Sequence, residues 1–237
     1  MFKYRILILA IVLSTLSTLQ IAPAETVKFA CSSPVQSVGD RKKLGKGDFS
    51  ASVVWKDVKL GETSIGYGPS ADHQYELSIF DGKVYMTKPI EDKKVLVRND
   101  PKPEEGAAML QVATPKAWGK SETLDELSSL DDLNFELDEV IDDLDCEGDV
   151  LIPFKIKGHA KEVTWSMDTA KPRVTTSKDQ DVTIVGLYNK EQHKHYFIVP
   201  GYNTHAHVLM KPLDQAGHLR SMTLEEGAQL YLPLTKK

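Results

Sequence analysis

The chain has 237 residues, which is enough for one large domain or two small ones with a sizeable hydrophobic core. Its 34 acidic and 29 basic residues give a formal net charge of −5. The basic residues form no stripe with interleaved aromatic residues, so we expect no nucleic-acid partner.

The first residues have the pattern of a secretory signal peptide. Two basic residues precede a continuous apolar run over residues 6–13, and Ala22-Pro23-Ala24 offers small residues to a signal peptidase. We predict a cleavable signal peptide at 1–24, a mature chain that begins at Glu25, and a secreted or periplasmic location. An uncleaved anchor is the alternative, although the run is short for a membrane span. No later stretch is long and apolar enough to cross a bilayer, so we expect no membrane partner after cleavage.

Two cysteines, Cys31 and Cys146, are the only thiols in the sequence. Because no C-x-x-C motif occurs, thiolate metal binding and dithiol redox chemistry are not expected. Export permits a disulfide between the two. The sequence does not show whether they come within bonding distance, so a disulfide and two unlinked thiols both stay open.

Most of the chain is predicted to be β-structure. Short segments rich in apolar or β-branched residues predict strands at 27–29, 75–79, 83–86, 94–97, 109–112, 150–157, 160–165, 181–188, 195–199 and 230–234. Asp81-Gly82 is a hairpin-turn signal, and Gly158 separates two of the later strands. Pro233 predicts that the last segment, if it is a strand, lies at the edge of a sheet.

One helix is predicted within the acidic stretch 121–149, which contains no Lys or Arg. Ser129 is a plausible N-cap and Gly148 a plausible end. Acidic residues cover the solvated faces, and the apolar residues recur at helical spacing, which indicates core packing: Leu130, Leu133, Leu137, Val140, Ile141 and Leu144.

Three histidines in the C-terminal part have the spacing of a metal site. His205 and His207 stand at i and i+2, so in a strand both imidazoles point to the same face. His218 is expected on a neighbouring antiparallel strand after a turn near 212–215. Three neutral imidazoles fill three positions of a zinc shell and leave one for water or substrate. The spacing alone is a weak signal, since histidines are common in extended segments, and the pair His193 and His195 is interpreted as surface.

The histidine segments are similar to those of the α-acetolactate decarboxylase family, in which G-Y-H-x-H is followed by Gly-Gly-His. Asn203-Thr204 stands as an insertion before the first histidine. Other segments resemble the family in the same order over roughly residues 60–235. These are Ser64-Ile65-Gly66-Tyr67, Glu76-Leu77-Ser78-Ile79-Phe80-Asp81-Gly82-Lys83-Val84-Tyr85, Phe154-Lys155-Ile156-Lys157-Gly158 and Thr183-Ile184-Val185-Gly186-Leu187.

The resemblance implies a zinc-dependent carbon–carbon lyase that converts α-acetolactate, or a related 2-hydroxy-3-oxo acid, to acetoin and carbon dioxide. It implies Zn²⁺ bound by His205, His207 and His218, a small-molecule hydroxy-keto acid substrate and, as one option, a homodimer. Glu76 matches an active-site glutamate of the family and would donate a proton or order metal-bound water. A strand-edge carboxylate that faces solvent is the alternative for Glu76.

Two family features have no counterpart at the expected place in the sequence. Ser166 stands where the family has an arginine, although Lys161 or Arg173 could approach from nearby, and no glutamate follows the last predicted strand before Lys237. The alternative function is therefore an exported metal- or ligand-binding protein that keeps the zinc site without turnover. A metal-assisted enzyme of another reaction class is a third option.

The predicted elements and the resemblance together give the expected architecture. We predict an α+β, mostly β fold with two mixed or antiparallel sheets and one main helix, similar to α-acetolactate decarboxylase. One such domain is expected over 25–237, with approximate halves 25–120 and 121–237. The first sheet would span roughly 27–112 and the second 150–234, with the metal site between or beside them.

Overall fold

The structure is a computed structural model that describes residues 28–91, 93–146, 150–190 and 202–235. The predicted signal peptide, the strand 195–199, the pair His193 and His195, and Gly148 lie outside these ranges. No helix within them is long and apolar enough to span a membrane.

Strands dominate the described residues. In chain order they are β1 (Val35–Val38), β2 (Val53–Val54), β3 (Ile65–Pro69), β4 (Glu76–Phe80), β5 (Lys83–Pro89), β6 (Val95–Arg98), β7 (Gly106–Ala107), β8 (Leu110–Ala113), β9 (Trp118–Thr123), β10 (Leu151–Met167), β11 (Arg173–Asn189), β12 (Thr204–Met210), β13 (Gln215–Leu224) and β14 (Gln229–Pro233). The helices are α1 (Arg41–Leu44) and α2 (Leu130–Asp143), with 3₁₀ turns at Trp55–Asp57 and Ala71–His73.

The first sheet has the strand order β1-β8-β3-β4-β5-β6 and is antiparallel throughout. The predicted strands 75–79, 83–86, 94–97 and 109–112 correspond to β4, β5, β6 and β8, with ends that differ by a few residues. Asp81 and Gly82 join β4 to β5 with φ values of 48° and 78°, as a two-residue hairpin turn with positive φ at both positions requires. The predicted hairpin is confirmed.

The second sheet has the order β11-β12-β13-β10-β14-β9 and is also antiparallel. Strands β10 and β11 additionally pair along their whole lengths, so β10, β11, β12 and β13 form a closed ring of strand pairs. The two-sheet, mostly β architecture predicted from the sequence is therefore confirmed. A short additional pair joins β2 and β7.

The predicted break at Gly158 is wrong, because residues 150–157 and 160–165 belong to one strand, β10. Gly158 stays in the ladder opposite Val182. A Cβ at this position would lie 2.7 Å from the Cβ of Ala228, so the glycine allows a close approach of neighbouring chain instead of a turn.

The prediction that Pro233 marks an edge strand is also wrong, since β14 lies between β10 and β9. The ladder between β10 and β14 ends at Tyr231, whereas Pro233 is the ladder partner of Trp118 of β9 and its backbone oxygen accepts the N–H of Ala30 at 2.8 Å. Proline has no backbone N–H to donate. Pro233 can still occupy an interior strand, because the pairing with β10 has already ended at that position.

The predicted helix is confirmed as α2, with Ser129 as its N-cap. The Ser129 hydroxyl accepts the backbone N–H of Asp132, which satisfies one of the free donors of the first turn. The helix ends at Asp143, with Leu144 as C-cap, short of the predicted end at Gly148. Its buried side chains join the core of the second sheet, as the apolar stripe indicated: Leu133, Leu137, Val140 and Ile141.

Cys31 and Cys146 form a disulfide, with Cα atoms 5.4 Å apart. The bond ties the segment before β1 to the residues that follow α2. The option of two unlinked thiols is therefore excluded in this structure.

The two sheets meet through a cluster of buried side chains drawn from both. Ile65 and Tyr67 of β3 pack in this cluster with Val185 and Leu187 of β11 and Leu209 of β12. Residues on β3, β4, β12 and β13 are thereby brought to one interface, which is where the predicted site lies.

Candidate metal centre

The three predicted histidines converge in the folded protein. His205 and His207 lie two residues apart on β12, and His218 on β13 is the direct ladder partner of His207. Residues 211–214 form the turn between these strands, as the sequence predicted. All three side chains are buried, and their ligand nitrogens lie within 4.8 Å of one another.

Aromatic stacking fixes the orientation of the imidazoles. The ring of Tyr67, from β3 of the first sheet, stacks on His205 at 4.3 Å and on His207 at 5.0 Å between centroids. The ring planes of the three histidines lie within 16° of each other. The second sheet therefore supplies the imidazoles and the first sheet holds them in place.

Hydrogen bonds hold the Nδ1 atoms of two histidines. His207 Nδ1 lies 2.7 Å from the Ser78 hydroxyl, and His218 Nδ1 lies 2.9 Å from Asp168 Oδ2. Because the partner of Nδ1 is a carboxylate, His218 takes the tautomer that donates its Nδ1–H. The lone pair of the ring is then on Nε2. This arrangement is the usual outer support of a metal-binding histidine.

Glu76 lies inside the site. It is the first residue of β4 and is 4% exposed, so the alternative of a solvent-facing carboxylate is wrong. Its Oε1 lies 3.7 Å from His207 Nε2, and its Oε2 accepts the backbone N–H of Asp168 at 2.8 Å. Burial, and then the nearby charge of Asp168, raise the pKa of Glu76 well above its ordinary value.

Asp168 and Arg220 are site residues that the sequence did not reveal. Arg220 donates from Nη2 to Asp168 Oδ2 at 2.6 Å and from Nε to the Ser166 hydroxyl at 2.8 Å. A guanidinium thus reaches Ser166 from β13, although the family arginine is absent there. Arg220 follows His218 by two residues, and this spacing was the one sequence signal that could have placed Arg220 near the site. Asp168 follows β10, and nothing in that segment of the sequence indicated a site residue.

Lys161 and Arg173, the two cations suggested from the sequence, lie elsewhere. Lys161 pairs with Glu126 on the surface, and Arg173 donates to the backbone oxygens of Lys94 and Ile90. Neither contacts the histidines or Glu76.

The ionisable groups of the site have shifted pKa values. Burial, followed by the nearby His218 and His205, lowers the pKa of His207 well below its ordinary value, and burial lowers that of His218 although Asp168 opposes the shift. Burial acts to raise the pKa of Asp168, but hydrogen bonds from His218 and Ser166 and the charge of Arg220 prevail and lower it. The lowered pKa values favour the neutral form of the His207 and His218 imidazoles, which is the form that binds a metal.

A cavity of about 230 Å³ opens beside these groups. Its polar side is formed by Glu76, Asp168 and the three histidines, and its remaining lining is Leu44, Phe49, Tyr67, Gly68, Pro69 and His73. Three buried imidazoles next to open space could hold a metal ion and leave one coordination position for water or a ligand.

No protein-family model matches the chain, and comparison with curated proteins finds no match either. Solved structures do match. α-Acetolactate decarboxylase from Bacillus subtilis strain 168 aligns with a TM-score of 0.64 and 15% identity, over 85% of this chain and 86% of that one. The acetolactate decarboxylase of Bacillus subtilis subspecies spizizenii gives 0.64 and 16% over the same shares. A Staphylococcus aureus protein of unknown function, similar to α-acetolactate decarboxylase, gives 0.65 and 16% over the same shares.

This chain has the α-acetolactate decarboxylase fold. The resemblance noted in the sequence is thereby confirmed for the architecture. At 15–16% identity the match carries the fold alone, so the chemistry has to be argued from the residues of this chain.

Proposed function

We propose that the protein is a zinc-dependent lyase that decarboxylates α-acetolactate or a related 2-hydroxy-3-oxo acid. The single observation that carries the proposal is the buried Glu76 carboxyl, 3.7 Å from His207 Nε2 and beside the other two histidines. One cavity thus contains a buried carboxyl group and three imidazoles that can ligate a metal, and these are the groups that proton donation and metal assistance require.

His205, His207 and His218 would hold the ion. When bound, zinc supplies a Lewis acid that polarises neighbouring hydroxyl and keto oxygens of a substrate. Ser78 and Asp168 keep the imidazoles of His207 and His218 in place while substrate enters.

Glu76 would supply the proton. Loss of carbon dioxide breaks the bond between the carboxylate carbon and its neighbour and leaves the electron pair on the remaining fragment, delocalised onto the keto oxygen. One proton must then be added to carbon to give acetoin. Burial raises the pKa of Glu76 and so favours the protonated carboxyl, and the N–H of Asp168 holds the side chain in position.

Acetoin formation by purified, zinc-loaded protein tests the proposal. We expect acetoin from α-acetolactate, a loss of activity on zinc removal, and a decrease of about 100-fold or more in Glu76→Gln, because that amide has no acidic proton to give. The matched control is Glu126→Gln, since Glu126 pairs with Lys161 outside the cavity. Failure on both α-acetolactate and its larger homologue, with zinc bound, would remove the proposal.

The second candidate is an exported metal- or ligand-binding protein without turnover. It is favoured by Ser166 at the family arginine position and by the engagement of Arg220 with Ser166 and Asp168. Zinc uptake that depends on the three histidines, without acetoin formation, would support this candidate over the lyase.

We propose export to the periplasm or the outside of the cell, with removal of residues 1–24. The Cys31–Cys146 disulfide supports this location, because disulfides persist in oxidising compartments. Cell fractionation and N-terminal sequencing provide the test, with Glu25 as the expected first residue. A cytoplasmic protein that retains the leader would contradict it.

A further inference from the structure

The cavity beside the histidines has a chemically mixed lining. Its polar groups are Glu76, Asp168 and the imidazoles. Leu44, Phe49 and Pro69 form an apolar wall, and the ring of Tyr67 adds aromatic surface against the imidazoles of His205 and His207. A ligand that binds the metal by polar groups must therefore place its other end against hydrocarbon and aromatic surface.

Two residues of the apolar wall come from the N-terminal part of the chain. Leu44 ends α1, and Phe49 lies between α1 and β2. Both precede residue 60, where the sequence resemblance to the decarboxylase family begins, so the quoted sequence motifs do not include this part of the wall.

The wall is anchored to the site by specific contacts. The Phe49 ring stacks on the His73 ring at 3.7 Å with an interplanar angle of 6°, and the Phe49 backbone oxygen accepts the N–H of Asp72 at 2.9 Å. His73 Nε2 in turn contacts the backbone oxygen of Asp168 at 2.8 Å. Asp72 and His73 have φ values of 58° and 53°, a conformation that such contacts must hold in place.

The charges around the cavity favour a ligand with a single carboxylate. None of the described residues that line it is Lys or Arg, and the lining already contains the carboxyls of Glu76 and Asp168. Arg220 is engaged with Asp168 and Ser166 and does not line the cavity. With the first carboxylate at the metal, a second carboxylate on the ligand would be desolvated against an apolar wall where no described lining residue is Lys or Arg.

The volume leaves room for more than a methyl group. An apolar cavity of about 150 Å³ accommodates benzene. The space here is about 230 Å³, which suits a small chelating head with an attached hydrocarbon group.

We propose that the site selects 2-hydroxy acids with one carboxylate and a hydrocarbon substituent larger than methyl, up to about the size of a phenyl ring. The hydroxyl and carboxylate oxygens face the metal ligands and Glu76, and the substituent packs against Phe49, Leu44 and Pro69. The inference rests on the proposed function for the metal, and it adds the class of substrate.

Binding of simple 2-hydroxy acids tests the inference without turnover, since they lack the 3-oxo group that decarboxylation needs. The probes are lactate, 2-hydroxybutyrate, 2-hydroxypentanoate, 2-hydroxyhexanoate, 3-phenyllactate and, as a dicarboxylate, malate, titrated calorimetrically into zinc-loaded protein. We expect affinity to rise about twofold to fourfold with each added methylene, 3-phenyllactate to bind more tightly than lactate, and malate to bind no better than lactate.

Phe49→Ser is the informative variant, and Leu44→Ser repeats the test if that protein folds poorly. Either should flatten the dependence of affinity on chain length. Phe135→Ser is the matched control, since Phe135 is 58% exposed on α2, and it should keep the full dependence. A flat series in the unmutated protein, a preference for malate, or an unchanged slope in both wall variants would overturn the inference.

The outcomes separate the inference from the proposed function. A graded affinity series without acetoin formation supports the class of ligand and removes the lyase. Turnover of α-acetolactate, with no increase in affinity for longer substituents, supports the lyase and removes the inference. Failure of the protein to take up zinc would contradict both the proposed function and the inference.

Discussion

Single side chains fix the orientation of the His207 and His218 imidazoles. Ser78 holds Nδ1 of His207 and Asp168 holds Nδ1 of His218, and Asp168 is itself held by Arg220. Asp168 also uses its backbone N–H to orient Glu76. One residue that no motif indicated thus connects a metal ligand, the proposed acid and the nearest guanidinium.

Asp168→Asn is expected to weaken zinc binding about tenfold to hundredfold, because a neutral amide supports the His218 ring less well than a carboxylate. Competition with a chromophoric zinc chelator measures the change. The matched control is Asp181→Asn, since Asp181 contacts His159 Nδ1 at the same distance of 2.9 Å but both side chains are exposed. Equal zinc affinity in the two variants would contradict the role given to Asp168.

The stability of the metal-free protein should depend on pH through buried groups of the site. Burial lowers the pKa of His207 and His218 below 6.5, so at lower pH the unfolded chain binds protons there that the folded protein does not. Stability therefore falls as pH decreases below 6.5. The raised pKa of Glu76 acts in the opposite direction above pH 4.5, because the folded protein keeps a proton that the unfolded chain loses.

Glu76→Gln should consequently steepen the loss of stability between pH 6.5 and 4.5, by up to about one tenfold factor in the unfolding equilibrium constant per pH unit. Urea denaturation of metal-free wild type and variant over this interval measures the two slopes. Parallel slopes would show that Glu76 is ionised in the folded protein.

At the scale of elements, local sequence patterns predicted helix α2 and the hairpin at Asp81-Gly82. They did not predict strand β3 or the full length of β10, where glycines allow close contacts between chain segments. Strand β3 escaped prediction because Gly66 and Gly68 weaken its pattern. Both glycines are required by packing, since a Cβ at Gly66 would lie 2.3 Å from the Gln111 backbone oxygen and one at Gly68 would lie 2.1 Å from that of Met109. The misplaced break at Gly158 in β10 has the same origin.

The N-cap of α2 gives a prediction at this scale. Ser129→Ala should lower the free energy of unfolding by about 1 kcal/mol, because the Asp132 N–H loses its acceptor at the start of the helix. Ser128→Ala is the control, since Ser128 contributes a backbone N–H to Asp132 that the substitution retains. Chemical denaturation measures both, and an equal loss in the two variants would argue against the cap.

At the scale of the whole molecule, one covalent bond and one interface organise the chain. The disulfide joins two cysteines 115 positions apart in the sequence, and the segment between them contains the entire first sheet and α2. The interface between the sheets brings Tyr67, Ser78 and Glu76 of the first sheet onto the histidines of the second. The site therefore forms only when both sheets are folded and packed together.

Cys31→Ser/Cys146→Ser should lower the free energy of unfolding by about 2–5 kcal/mol, because the unfolded chain regains the freedom of a long loop. Denaturation with and without a reductant measures the effect. The reductant should destabilise the wild type to the level of the double variant and leave that variant unchanged. A wild type that is insensitive to complete reduction would contradict the prediction.

The sequence by itself determined the features that depend on neighbours along the chain. The i, i+2 spacing of His205 and His207, the period of α2 and the turn at Asp81-Gly82 each follow from local geometry, and all appear in the structure. Tertiary structure decided the rest of the site. Asp168 and Glu76 are 92 residues apart, and Arg220 and Ser166 are 54 apart. Contacts over such separations depend on how the sheets pack and on strand register, which no local pattern encodes.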